Sequence, residues 1–142
     1  MEIDKLKNNI TLINDTYNAS YESMKAAIIS LKIINGKRKI AVLGDMFELG
    51  EFSEKLHRNV GIEIYNNNID KLYLIGKDAK YIGLEAEKRG YDKEKINYFD
   101  DKNILIETLK KELKDGDTIL IKASNGMKLF EVAEIICKEF KK

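Results

Sequence analysis

The sequence has little of several residue types and motifs that define common protein classes. Its 142 residues include a single cysteine, Cys137, so no disulfide can form within the chain. None is needed, because a domain of this length buries roughly two-thirds of the surface that its unfolded chain would expose. Cys137 lies among apolar residues at helical spacing, which predicts a small buried hydrophobe and not a nucleophile. No apolar stretch approaches the roughly 20 residues of a membrane span, so we expect no membrane association.

The sequence also lacks an excess of charge of either sign and the strong catalytic motifs. Lys plus Arg number 25 and Asp plus Glu number 24, and this balance argues against a dedicated nucleic-acid binder. The chain lacks the GxxxxGK[ST] phosphate loop, the GxGxxG fingerprint, CxxC and HExxH. It therefore has no strong motif for splitting a nucleotide, holding a dinucleotide or coordinating zinc, and it resembles half of an active site. The low cysteine content predicts a cytoplasmic location.

Apolar runs rich in β-branched residues alternate with segments of helical periodicity. The predicted strands are 10–13, 40–43, 72–75 and 119–121, with 97–99 a weaker candidate. The predicted helices are a stripe beginning near Met24, a second after a cap at Ser53, and the segments 81–89, 104–113 and 129–140. This regular alternation predicts a single α/β domain over residues 1–142, with a Rossmann-like, mainly parallel sheet and helices on both faces.

Three polar loops follow predicted strands, and the carboxyl ends of parallel strands are where such sheets bind ligands. The loops are NDTYNAS at 14–20, LGDMFELGEFSEKLH at 43–57 and KASNGMK at 122–128. Each also has a purely structural interpretation. Ser20 is the plausible cap of the first helix, Asp45 could cap a turn, and Ser124 and Asn125 could cap the last helix. By default, His57 is an exposed or half-buried helical histidine.

The loops carry a resemblance to a known family. The stretches INDTYNASYESMKAAI, RKIAVLGDMFELGEFSEKLHRNVG and GDTILIKASNGMKLFEV resemble, in order, the carboxy-terminal domain of the Mur ligases, and in particular their D-alanyl-D-alanine-adding branch. The resemblance implies an ATP-dependent ligase that joins D-alanyl-D-alanine to a UDP-N-acetylmuramoyl-tripeptide through an acyl phosphate. It also implies N-terminal and central domains beside this one, with the phosphate loop and most of the Mg²⁺ ligands in the central domain. We therefore expect this chain alone to be inactive, to be an excised domain cut near its hinge, and to be a monomer.

The resemblance also implies roles for individual residues. Asp15 matches the family aspartate that binds the ATP ribose, and Asn14, Tyr17 and Asn18 are its neighbours at the nucleotide. A second group is expected to bind the dipeptide: Ser124 and Asn125, with His57 at a position where a sister ligase uses a cationic side chain.

Two other classes of function compete with the ligase. A stand-alone small-molecule or receiver-like module would share the fold, and Asp15, Asp45 and Lys122 could be fitted to its acidic pocket and distant lysine. The long patterned loop after residue 43 favours the ligase. A protein-interaction domain has no sequence feature in its favour.

Overall fold

Six strands form one sheet, and five of them run parallel. The computed structural model describes all 142 residues. The strands are β1 (Glu2–Lys5), β2 (Thr11–Asp15), β3 (Arg38–Gly44), β4 (Lys71–Ile75), β5 (Ile96–Phe99) and β6 (Asp117–Lys122). The helices are α1 (Tyr21–Ile33), α2 (Ser53–Asn66), α3 (Lys80–Arg89), α4 (Lys102–Glu112) and α5 (Phe130–Glu139). The order across the sheet is β1-β2-β6-β3-β4-β5, and only β1 is antiparallel to its neighbour. The Rossmann-like, mainly parallel α/β fold is confirmed.

Each face of the sheet is covered by its own core, because alternate residues of each buried strand point to opposite faces. On one face, Ile13, Leu43 and Leu120 pack with the apolar stripes of α1, α2 and α3. On the other face, Leu12, Val42 and Ile121 pack with α4 and α5. The strands are therefore apolar on both sides, as their continuous hydrophobic runs predict. None of the helices combines the length and the apolar character needed to cross a bilayer.

The topology of the sheet creates a crevice at the carboxyl ends of β2 and β6. The helix after β2 lies on one face, whereas the helix after β6 lies on the other, so the two loops diverge at the carboxyl ends of adjacent strands. Divergence of this kind is the topological switch point at which open α/β sheets bind ligands. The register places Asp15 directly beside Lys122 at this point.

The helix starts confirm one predicted cap and correct others. Ser20 caps α1 in a reciprocal box: its hydroxyl accepts from the Ser23 amide, and the Ser23 hydroxyl accepts from the Ser20 amide. Ser53 is not the cap of α2, because the helix begins at Ser53 itself after a short 3₁₀ turn. Ser124 and Asn125 do not cap the last helix either, since α5 begins only at Phe130 and no side chain caps it.

Helices α2 and α3 pack closely at Gly61. A Cβ added there would lie 2.3 Å from the Ile82 carbonyl oxygen and 3.0 Å from the Ala86 amide nitrogen, both of which are backbone atoms. Backbone atoms can move only if the helices separate. At Gly83 on α3, the atoms nearest to an added Cβ all belong to side chains: the hydroxyl oxygen of the 48% exposed Tyr98 at 2.3 Å and Cδ1 of the buried Leu74 at 2.9 Å.

We predict that Gly61→Ala lowers the free energy of unfolding by about 2 kcal/mol through overpacking, despite the better helix propensity of alanine. The matched change Gly83→Ala should cost less, because side-chain atoms of Tyr98 and Leu74 must yield there and no backbone atom. Urea denaturation of both variants measures the difference. Equal losses of unfolding free energy at the two positions would show that the backbone contact at Gly61 does not set the distance between α2 and α3.

Candidate functional site

A buried ion pair lies at the crevice between β2 and β6. The Lys122 ammonium is 2.9 Å from Asp15 Oδ2 and also donates to the Asn18 carbonyl oxygen at 2.9 Å. The Lys122 side chain is only 2% exposed, and that of Asp15 is 17% exposed. Because a buried ammonium needs nearly all of its bonds satisfied, Lys122 fixes both the Asp15 carboxylate and the loop that follows it. Asp15 Oδ1 has no hydrogen-bond partner in the protein and is free to accept from a ligand.

The 14–20 loop is ordered by its own side chains. Asn14 Oδ1 accepts from the Thr16 hydroxyl at 2.8 Å, and Asn18 Oδ1 accepts from the Ala19 amide at 2.8 Å. Tyr17 extends from the loop with 84% of its surface exposed. The loop therefore presents an unpartnered aromatic ring beside a carboxylate with a free oxygen.

A cavity of about 580 Å³ opens beside this loop, with walls contributed by β1, the 14–20 loop and α5. Asn14, Asp15 and Tyr17 line it, and so do Asn125 and Phe130 from the far side. The structure thus brings three of the four predicted nucleotide residues together with Asn125, which the sequence predicted to contact the dipeptide. Asn18, Ser124 and His57 do not line this cavity.

Cys137 lies at the α5 wall of the cavity. The residue packs against the core on this face of the sheet but is only partly buried, which corrects the expectation of a buried hydrophobe: its thiol also faces the edge strand β1, 3.5 Å from Asp4 Oδ2. Burial, together with the neighbouring Asp4 carboxylate, raises the pKa of the thiol to about 11. At neutral pH the group is therefore a thiol, which is a poor nucleophile.

The second predicted loop is fixed at its base by the Asp45 carboxylate. Oδ1 accepts from the amides of Asp78 and Ala79 at 3.0 and 2.7 Å, and Oδ2 accepts from the Lys77 amide at 3.1 Å. These amides lead into α3, where the helix dipole favours a negative charge. Asp45 is buried and fully occupied by this capping role, so the interpretation of Asp45 as a cap is confirmed.

His57 is completely buried, which corrects the expectation of an exposed or half-buried histidine. Its Nδ1 is 2.7 Å from the Ser53 carbonyl oxygen, and its Nε2 lies 3.0 Å from the Met46 amide nitrogen, which donates to it. Because Nε2 accepts a bond, the ring proton is on Nδ1 and the imidazole is neutral. Neither ring nitrogen is free for a ligand, so a direct dipeptide contact by His57 stays a prediction and lacks support from this arrangement.

Ser124 joins the second loop to the third. Its hydroxyl accepts from the Phe47 amide at 2.8 Å, and its own amide donates to the Asp45 carbonyl oxygen at 2.9 Å. The Phe47 ring lies close to Gly126, where an added Cβ would approach Phe47 Cε2 to 2.6 Å. Asn125, in contrast, is exposed. The pair of residues predicted for the dipeptide thus divides into a structural serine and an accessible asparagine.

Sequence reasoning missed two features of the crevice. Lys122 was not recognised as the partner of Asp15, although a lysine that ends an otherwise apolar central strand is the signal of a buried pair. Phe130 was predicted to lie in a helix and not in the lining of a ligand cavity. Only the placement of α5 across the crevice brings its ring, which is 37% exposed, into the cavity lining.

The chain is similar in sequence to a family of known proteins. Residues 1–125 match the family model described as "Mur ligase, glutamate ligase domain". The chain is 38% identical over 135 residues to the UDP-N-acetylmuramoyl-tripeptide--D-alanyl-D-alanine ligase of Bacillus subtilis, covering 94% of this chain. It is 40% identical over 144 residues to the enzyme of the same name from Buchnera aphidicola subsp. Baizongia pistaciae, covering all of this chain.

A solved structure gives the same result. The crystal structure of MurF ligase from Thermotoga maritima in complex with ADP matches 98% of this chain with a TM-score of 0.80 and 30% sequence identity. The chain spans 29–30% of the length of these three relatives.

We predict that Asp45→Ala lowers the free energy of unfolding by about 2 kcal/mol, because three amides lose a buried charged acceptor. Asp45→Asn should lie between wild type and alanine, since its carbonyl oxygen can replace Oδ1 while its NH₂ group opposes the Lys77 amide. Asp101→Ala removes an exposed cap from α4 and serves as the control, with an expected loss of about 1 kcal/mol. A loss at Asp45 no larger than that at Asp101 would contradict the role of the buried carboxylate.

Proposed function

The chain belongs to the Mur ligase family, as its glutamate ligase domain, and from that premise we propose that it is the carboxy-terminal domain of an ATP-dependent ligase. The reaction we propose joins D-alanyl-D-alanine to UDP-N-acetylmuramoyl-tripeptide in the synthesis of peptidoglycan precursors. The names of the Bacillus and Buchnera relatives support this substrate pair. The N-terminal and central domains of such a ligase would be its partners, in a cytoplasmic and monomeric enzyme.

The observation that carries the proposal is the free oxygen of Asp15 beside an open cavity. Lys122 holds Oδ2, which leaves Oδ1 without a partner in the protein and available to accept from ribose hydroxyls. Asn14 and Tyr17 border the same cavity, and Tyr17 offers an exposed ring for packing against a nucleoside. Asn18 contributes through its carbonyl oxygen, which helps to hold Lys122. The Thermotoga MurF structure was solved in complex with ADP, which supports a nucleotide as a substrate of the proposed ligase.

The chemistry of the reaction assigns this domain to binding and alignment. In such a ligase ATP phosphorylates the tripeptide carboxylate, and the amine of the dipeptide then attacks the acyl phosphate and expels phosphate. An acyl phosphate is lost to hydrolysis unless water is excluded and the amine is aligned. A domain that carries nucleoside and dipeptide contacts and closes over the central domain would supply both effects.

We propose that magnesium binds to a different domain of the ligase. The chain has no group of three or more His, Cys, Asp or Glu side chains arranged to hold a metal ion. The residues therefore do not fit a Mg²⁺ site. We assign the metal to the central domain, beside the transferred phosphate.

Asn125 is the proposed direct contact to the dipeptide in this domain. Its side chain is exposed beside the nucleotide cavity, and its amide group can pair with the substrate carboxylate or peptide group. His57 and Ser124, the other two residues of the dipeptide group, use their polar atoms to hold the 45–47 backbone. Their part in dipeptide binding is proposed through that backbone.

A receiver-like module is less compatible with the geometry. Such a module needs carboxylates that converge on one pocket, whereas the Asp15 carboxylate pairs with Lys122 and the Asp45 carboxylate is occupied by three amides of the α3 turn. The two acidic groups thus serve different partners.

We predict that Asp15→Asn in the intact ligase raises the apparent KM for ATP by a factor equivalent to roughly 1.5–3 kcal/mol, because a charged acceptor for ribose is lost. Asparagine retains an oxygen for Lys122, whereas Asp15→Ala leaves a buried ammonium unpaired and should also destabilise the fold. Steady-state kinetics and thermal unfolding separate the two effects. The exposed Asp115, which precedes β6 at the opposite end of the sheet, gives the control Asp115→Ala. An unchanged ATP constant in Asp15→Asn would remove Asp15 from the nucleotide site.

We also predict that Asn125→Ala lowers kcat/KM for D-alanyl-D-alanine by at least roughly tenfold, or about 1.4 kcal/mol, with little change in the ATP constant. The exposed Asn66, at the far end of α2, provides the control Asn66→Ala. Loss of both substrate constants to the same degree would point to impaired domain closure, and no loss would exclude Asn125 as a dipeptide contact.

A further inference from the structure

The loop between β3 and α2 has a backbone conformation that its own sequence does not favour. Glu48 has φ of 62° and Gly50 has φ of 56°, both in the left-handed region. For glutamate this region is costly, and a residue persists there only when its surroundings hold it in place. The segment 45–50, which we call the GDM loop after the Gly44-Asp45-Met46 sequence at its start, must therefore be fixed by contacts from other elements.

The fixing contacts are made to three consecutive residues of the GDM loop. The Asp45 side chain is held by the turn before α3, the Met46 amide donates to His57 of α2, and the Phe47 amide donates to Ser124 after β6. Of these contacts, the bond to His57 is the most buried, since His57 is 0% exposed and Met46 is 2% exposed. A buried amide that loses its acceptor costs much more than a surface amide, because water cannot replace the bond.

His57 itself is held in one orientation. Its Nδ1 proton is donated to the Ser53 carbonyl oxygen one turn earlier in α2, so Nε2 must present its lone pair to Met46. The Ser53 hydroxyl in turn donates to Asp78 Oδ2 at 2.7 Å, which ties the start of α2 to the same turn that Asp45 caps. The imidazole is therefore a rigid acceptor aimed at one backbone amide.

We propose that His57 is a positioning residue for dipeptide binding, which acts by holding the Met46 amide and so placing the GDM loop against the 124–126 loop. The inference rests on the proposed function. It differs from direct recognition, because His57 touches no substrate. The Phe47 ring, seated on Gly126 next to Asn125, is the surface that this bond sets in place, and it is 45% exposed and apolar, as the methyl groups of the dipeptide require.

The proposal distinguishes the two ring nitrogens, so two amide substitutions test it. In His57→Gln the side-chain oxygen can reach the Nε2 position and accept from Met46, whereas His57→Asn places its amide near Nδ1 and leaves Met46 without an acceptor. His57→Leu removes both bonds with a similar volume. If the Met46 bond is what matters, glutamine should rescue and asparagine should not.

The experiment measures kcat and KM for D-alanyl-D-alanine and for ATP in the intact ligase, for wild type and the three variants. We expect His57→Asn and His57→Leu to raise the dipeptide KM by roughly three- to tenfold, the equivalent of one lost buried hydrogen bond, with the ATP KM within about twofold of wild type. His57→Gln should restore most of the dipeptide affinity. A glutamine variant as impaired as asparagine, or equal changes in both substrate constants, would overturn the proposal.

Amide hydrogen exchange separates this inference from the proposed function. In the same proteins, exchange at residues 46–50 should be faster in His57→Asn than in His57→Gln, whichever reaction the enzyme catalyses. Failure of the wild-type ligase to use D-alanyl-D-alanine would refute the proposed function alone. Unchanged exchange in His57→Asn would refute the positioning role alone.

Discussion

The arrangement at the crevice depends on one buried charge, the ammonium of Lys122. A lysine in the centre of a sheet cannot remain charged without partners, and here Asp15 and the Asn18 carbonyl oxygen supply them. The pair joins the ends of β2 and β6, the two strands whose following helices leave to opposite faces. The interaction also uses one oxygen of Asp15, which lines the cavity, and leaves the other without a partner in the protein. In the proposed site, the contact that satisfies a core lysine therefore also orients the proposed ligand acceptor, and one residue change would affect both.

The neighbouring loops are held by a different means, in which side chains accept bonds from backbone amides. Asp45, His57 and Ser124 come from separate segments, and each accepts hydrogen bonds from backbone amides of another segment. Because the acceptors are distant in sequence, the loops become rigid only when the whole sheet and α2 are formed. Rigid loops on a folded scaffold lower the entropy lost on binding, and this preorganisation would benefit the proposed ligase, in which an amine is aligned with a short-lived acyl phosphate.

Most of the fold could be predicted from the sequence, whereas the separate roles of the polar residues could not. The buried strands β2, β3, β4 and β6 and the five helices were predicted because their hydrophobic patterns are long and periodic. Strand β1 was missed because its four residues, Glu2–Lys5, are mostly exposed and carry no apolar run. Ser53 was taken for a cap because Ser often has that role, but the preceding 3₁₀ turn already satisfies the helix start, and its hydroxyl bonds to Asp78 instead.

The candidate site likewise has some features that the sequence predicts and others that it does not. Local spacing placed Asn14, Asp15, Tyr17 and Asn125 on one edge of the sheet, and the structure has them around one cavity. The burial of His57 could not be read from spacing, since it depends on how α2 packs under a loop that precedes it in the chain. The pairing of Lys122 with Asp15 depends on the crossover that inserts β6 between β2 and β3, and 107 residues separate the two. Such contacts follow from topology and not from local pattern.

The most direct measurement is hydrogen–deuterium exchange of the intact ligase with and without a non-hydrolysable ATP analogue and D-alanyl-D-alanine. If the carboxyl ends of the strands form the ligand face, added protection within this domain should fall on residues 14–18, 45–50 and 123–128, with the nucleotide alone protecting 14–18. The opposite end of the sheet, at residues 35–38 and 114–117, should be unaffected. Protection at that opposite end, or none in the three loops, would contradict the assignment of this crevice as the binding site.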